Sequence, residues 1–196
     1  MTATTVMLCG VGGQGTILAA DVLAKTAAAA GLQVKLSEVH GMAQRGGSVD
    51  TVVRFGDEVF APITDPGGAD HLVAFEMIEA ARRVHFLKPE GRLLVNSRVI
   101  EPLPVLIGAV PPASGIESLL DDQGAIFIDA EALACEAGSP KSANIVLMGA
   151  LSTGLGFDVG LWRDVISNRV PPKTLESNLR AFDLGREACE RGVCDL

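Results

Sequence analysis

Residues Leu8–Asp50 read LCGVGGQGTILAADVLAKTAAAAGLQVKLSEVHGMAQRGGSVD. Two glycine-rich turns, GVGGQG (Gly10–Gly15) and HGMAQRGGS (His40–Ser48), bracket one helix pattern and one strand pattern. Val6–Cys9 is a short apolar run stopped by Gly10, which reads as a buried strand followed by a tight turn. Thr16–Gly31 is alanine-rich, with Leu18, Val22 and Leu23 near one helical stripe and Gly31 as the stop. Gln33–Val39 alternates apolar and polar residues and reads as a second strand. Strand, glycine turn, helix and strand make a βαβ-type unit.

Further along, Ser48–Phe55 is β-branched and extended. Gly56-Asp57 reads as a turn, with Val59–Ile63 returning as the second arm of a hairpin. His71–Phe75, Arg92–Asn96 and Ala125–Asp129 read as strands. Glu76–Leu87, Ala130–Ala137, Ser142–Leu155, Leu161–Asn168 and Thr174–Arg191 read as helices. Val99–Pro112 holds four prolines and is expected to be extended or looped along an edge. The expected fold is α/β: a Rossmann-like, mostly parallel sheet with a β-hairpin insertion and helices on both faces. A single domain over 1–196 is expected, its C-terminal helices falling within 159–191. Both glycine turns follow strands, so both should lie on the rim where ligands of such sheets bind.

The composition narrows the function. Of 196 residues, 24 are acidic and 16 basic, a formal charge of −8 that argues against a nucleic-acid binder. No apolar run approaches the ~20 residues of a membrane span, and no signal-peptide pattern opens the chain; a cytoplasmic protein is expected. Cys9 and Cys135 sit in apolar segments and read as buried small hydrophobes. Cys189 and Cys194 have a C-x4-C spacing that fits neither a cluster run nor a zinc knuckle, and read as frayed, reduced thiols.

Gly10, Gly12 and Gly15 match G-x-G-x-x-G, and a helix N-terminus follows, which suits an anion. Glu38 stands where a dinucleotide site would place its ribose-binding acid. Gly13 adds a fourth glycine, and Gln14 sets a neutral amide at the helix entrance. In the second turn, Gly41, Gly46 and Gly47 frame His40, Gln44, Arg45 and Ser48. Arg45 suits a phosphate or carboxylate, and His40 an acid, base or donor. Asn144, in a buried helix, needs a partner for its amide and should cap a loop or face the rim. His71 and His85 read as structural. Subunit docking explains both turns as well as ligand binding does, and the glycines alone would permit a tight turn. No catalytic set and no metal-ligand set can be placed.

GVGGQG, followed by EVHGMAQRGGSV and then SANIVLMGAL around Asn144 and Gly149, resembles the gamma-type subunit or domain of 2-oxoacid:ferredoxin oxidoreductases, and most of all the short separate chain of the indolepyruvate type. The likeness spans essentially the whole chain. It implies oxidative decarboxylation of a 2-oxoacid, here indolepyruvate or another aryl pyruvate, to an acyl-CoA, with electrons passing to ferredoxin. It implies that thiamine diphosphate, Mg and the iron–sulfur clusters belong to a large partner subunit, and the chain has no cluster-type cysteine run or G-D-G…N signature. No cofactor is then held tightly by this chain, which should be inactive alone. The candidate contacts for coenzyme A or the partner are Gly10, Gly12, Gly13, Gln14, Gly15, His40, Gln44, Arg45, Gly46, Gly47 and Asn144. The isolated chain is a candidate homodimer. Two other readings stay open: a self-sufficient nicotinamide- or flavin-binding enzyme, and a non-catalytic assembly module.

Overall fold

Val6, Leu8, Val53, Val73 and Leu94 are buried under one layer of helices, while Met7, Cys9, Leu72, Leu93 and Val95 are buried under another. Odd and even positions of the same strands thus face two cores, as the strand period of two requires. The computed structural model describes residues 3–43 and 46–190. Its sheet has six strands in the order β2-β3-β1-β4-β5-β6. These are β1 (Thr4–Val11), β2 (Gln33–His40), β3 (Ser48–Gly56), β4 (Ala69–Ala74), β5 (Leu87–Asn96) and β6 (Ala125–Ile128). β1, β4, β5 and β6 run parallel, and β3 is antiparallel to both β1 and β2.

On the first face lie α1 (Thr16–Ala29), α5 (Ala130–Glu136), α6 (Ala143–Ser152), α7 (Val159–Arg169) and α8 (Leu175–Ala188). α2 (Met77–Arg83) and α4 (Ile116–Asp121) cover the second. α3 (Leu103–Leu106) is a single turn with no buried residue. Among the described residues, no helix is long and apolar enough to cross a membrane.

Several expectations need correction. The hairpin is formed by β2 and β3, not by β3 and Val59–Ile63. Ser48–Gly56 finds partners on both sides, so residues 59–63 have no open edge to join; the Arg54 guanidinium instead holds the carbonyls of Ala61 and Ile63 at 3.1 and 3.0 Å. The insertion also separates β1 from β2 within the βαβ unit. Val99–Pro112 is not wholly extended, because Pro102 caps α3 and Pro104 sits in its first turn, where a missing N–H costs nothing. The helix after Glu76 gives way to strand at Leu87, before Pro89. Cys135 is exposed: Ala130 and Ala134 face the core, and Cys135 is one position further round α5. Cys189 is buried and disulfide-bonded rather than a frayed reduced thiol, and Cys194 lies outside the described residues.

Candidate functional site

The C-terminal ends of β1, β2, β4, β5 and β6 share one rim with the start of β3, and both glycine turns stand on it. They are joined. The Gly12 amide donates to the Gly47 carbonyl at 2.8 Å, and the Gly46 amide donates to the Gly12 carbonyl at 3.3 Å. This extends the β1–β3 ladder beyond the Val11–Ser48 pair. Gln44 and Arg45 lie outside the described residues.

Gln14, at the helix entrance as its sequence suggests, braces the turn with its side chain. Its side-chain oxygen accepts from the Val11 amide at 2.7 Å, and its nitrogen donates to the Phe75 carbonyl at 2.8 Å. The Asn96 amide donates to the same carbonyl at 3.0 Å and accepts from the Ala130 amide. Phe75 therefore ties the first glycine turn to the ends of β4, β5 and β6. A Cβ on Gly10 would stand 2.8 Å from both the Gln14 oxygen and the Phe75 Cβ, which explains the first glycine.

The Val11, Gly12 and Gln14 amides are thus spent inside the turn. The first helical bond runs from the Ala19 amide to the Gly15 carbonyl, and no side chain caps α1. The opening amides of the helix have no carbonyl of their own helix to bind, as at any helix N-terminus. Gly15 makes the bend into α1 with φ 81°, in the left-handed region. Asn144, buried at the start of α6, donates to the Gly15 carbonyl at 3.2 Å and accepts from the Ile145 amide. It caps the loop, and its partner is the rim itself.

Three cavities open around this clasp. One of about 450 Å³ is lined by Gly12, Gly13, Gly15, Glu38, His40 and Val49. There His40 stands 3.9 Å from the Glu38 carboxylate. A second, of about 740 Å³, lies on the other side of the turn and brings Arg98 and Lys141 to Gly13, Gly15, Gly46 and Asn144. Arg98 pairs with Glu131 at 2.9 Å. Sequence reading missed both cations; the signal for Lys141 was its place immediately before the buried SANIVL segment. The third, of about 500 Å³, lies beneath the second turn against α2 and α3. Among the described residues, no group of three or more His, Cys, Asp or Glu side chains forms a metal-sized cluster.

Beneath the second turn is a network that the sequence did not disclose. Ser48, the residue leading from the turn into β3, donates its hydroxyl to the Glu79 carboxylate at 2.5 Å. Glu79 also pairs with Arg82 at 2.9 Å, and the Arg83 Nε donates to both Asp50 oxygens at 2.8 Å. Cys9 lies below, its thiol pushed well above the usual range by burial and then by the Asp50 charge. It is therefore a poor nucleophile.

Fully buried Glu76 caps α2, accepting from the amides of Glu79 and Ile78. Burial pushes its carboxyl up, against the pull of the backbone amides. Burial also raises Asp50, against Arg83. A raised folded-state pKa means that the native chain holds the proton more tightly. Each group then contributes stability that is full below the ordinary carboxylate pKa and is lost as pH rises through the raised value. Glu76→Gln should flatten that loss. Melting curves from about pH 4 upward check it, and an unchanged slope would assign the whole loss to other groups.

The pyruvate ferredoxin/flavodoxin oxidoreductase family model matches residues 5–188. The chain belongs to this family. Among its relatives is the indolepyruvate oxidoreductase subunit IorB of Thermococcus kodakarensis, 42% identical across 94% of this chain and 95% of that protein. The 2-oxoglutarate synthase subunit KorC of Methanothermobacter marburgensis is 31% identical across 95% and 97%. Among solved structures, the gamma subunit of a keto/oxoacid ferredoxin oxidoreductase from Geobacter sulfurreducens superposes with a TM-score of 0.72 at 26% identity, covering 96% of this chain and 99% of that one. Relatives named for different 2-oxoacids thus match this chain along nearly its whole length.

Proposed function

We propose that this chain is the small accessory subunit of a cytoplasmic, thiamine-diphosphate-dependent 2-oxoacid:ferredoxin oxidoreductase that converts indolepyruvate or another aryl pyruvate to its acyl-CoA. The aryl substrate follows from the higher identity to the indolepyruvate-type relative. One observation carries the site assignment: the two glycine turns are hydrogen-bonded to each other beside the uncapped start of α1. Thiamine diphosphate, Mg and the iron–sulfur clusters belong, in this reading, to the large partner, which supplies decarboxylation and electron transfer. This chain's part is to hold coenzyme A or to present the rim to the partner.

The residues fit a phosphate-bearing ligand. Arg98 and Lys141 line the larger cavity with Gly13, Gly15 and Asn144; Glu131, paired to Arg98, lines it too, which leaves Lys141 as the cation that favours an anion there. Arg45, next to Gly46 in the sequence, is a further candidate cation. A self-sufficient nicotinamide enzyme fits less well. β3 separates β1 from β2 and moves Glu38 one strand spacing, about 4.8 Å, further from the turn. Gln14 also occupies the crevice between β1 and β4, where the pyrophosphate would lie.

The test is reconstitution. The isolated chain should show no 2-oxoacid oxidation, and adding the large subunit should restore it, most strongly with aryl pyruvates. In that complex Arg45→Ala should raise the KM for coenzyme A about tenfold, the loss of one charge-assisted contact, while substrate decarboxylation changes less. Turnover by the chain alone would defeat the subunit reading. An unchanged KM would make Arg45 a docking or loop-folding residue.

A further inference from the structure

α3 adds nothing to either core. Leu103, Leu106 and Ile107 are 68–69% exposed, and Val99 and Val110 nearly half exposed, within one short stretch of chain. A run of this kind marks a surface meant to be covered. Leu103 and Leu106 also form a wall of the 500 Å³ cavity beneath the second glycine turn, whose other lining includes Glu76, Glu79, Glu101 and Arg82. Three carboxylates face one guanidinium. Glu76 is committed to backbone amides, and Glu79 to Ser48 and Arg82. Glu101 is different: its Oε2 is out of solvent and has no hydrogen-bond partner. A buried carboxylate oxygen left in that state is costly, and a donor from outside the chain would remove the cost.

We infer that α3 and the acidic cavity at its foot seat a segment of the large subunit that carries a basic residue, best an arginine, between apolar side chains. This rests on the reading that the chain works as a subunit. The apolar neighbours would cover Leu103, Leu106 and Ile107, and the guanidinium would reach Glu101. Arginine suits the position because its planar fork is weakly hydrated and pairs with carboxylate through two bonds. A second copy of this chain fits poorly: it carries the same charge of −8 and would bring the same acids to the contact.

The experiment measures the affinity of the full chain for the purified large subunit of the same organism, at low and high salt. Leu106→Asp and Glu101→Gln are compared with Leu119→Asp, a control at an exposed leucine on α4 outside the patch. Melting temperatures confirm that each variant folds. Leu106→Asp should weaken binding at least about tenfold, as loss of a central apolar anchor does. Glu101→Gln should weaken it about threefold to tenfold and flatten its salt dependence. Leu119→Asp should bind as the wild type does. Wild-type affinity in folded Leu106→Asp would overturn the surface assignment and leave the subunit reading standing. Failure of the unaltered chain to bind the large subunit would overturn both. A wild-type dimer split by Leu106→Asp, with large-subunit binding intact, would make a second copy the occupant and overturn the proposal.

Discussion

Gly185→Val should lower the melting temperature by about 6–12 °C, the shift that ~3 kcal/mol produces in a chain of this size. α6 and α8 cross with a glycine on each side of the contact. A Cβ on Gly185 would stand 2.0 Å from the Val146 carbonyl oxygen, and one on Gly149 would stand 2.1 Å from that of Phe182. The obstacle in both cases is backbone, which cannot turn away as a side chain can. The helices would have to part, and Ile145, Val146, Met148 and Phe182, all fully buried, would lose their packing. Alanine at Gly185 regains ~1 kcal/mol of helix propensity but meets the same carbonyl, so it should fall between valine and the wild type. Thermal unfolding of the isolated chain is the check. A melting temperature within about 2 °C of the wild type for Gly185→Val would show that the crossing opens without cost.

Gly15→Ala should be the most damaging single change on the rim. At φ 81° an alanine carries ~1–2 kcal/mol of left-handed strain. Its Cβ would also lie 2.6 Å from the Asn144 amide nitrogen. Displacing that amide breaks its bond to the Gly15 carbonyl, worth ~1 kcal/mol, for a total of ~2–3 kcal/mol. The displaced piece is the uncapped start of α1. In the assembled enzyme we expect a KM for coenzyme A raised by tenfold or more, with decarboxylation of the 2-oxoacid less changed. Asn144→Ala, which leaves the glycine conformation alone, should reproduce only the smaller part of the stability loss. Coenzyme A kinetics identical to the wild type in folded Gly15→Ala would remove α1 from the ligand site and leave the rim to subunit contact.

These two glycines mark the boundary between what residues disclose singly and what the assembled fold decides. GVGGQG announced a turn between strand and helix because only glycine tolerates such bends. Its position after an apolar run was enough to put the turn on the carboxyl rim of the sheet. The apolar runs at Val6–Cys9, His71–Phe75 and Ala125–Asp129 gave strands for the same reason: a strand buried on both faces has no polar side to show. Asn144 in a wholly apolar helix called for a partner, since a buried amide cannot go unpaired.

Partner choice was not legible, because it depends on residues far apart in the chain. Ser48–Gly56 carries a β-branched pattern that suits any neighbour, and only the assembled sheet slid it between β1 and β2. The partner of Gln14 is Phe75, 61 residues away, which accepts its amide. Gly149 belonged to a recognisable motif, yet its reason is a carbonyl on α8. The local chain thus determined where turns, strands and helices form, since those depend on conformational freedom and on the period of apolar residues. Tertiary structure alone decided which amides of the glycine turns are spent inside the fold, because a hydrogen bond belongs to two positions at once and the sequence lists them singly.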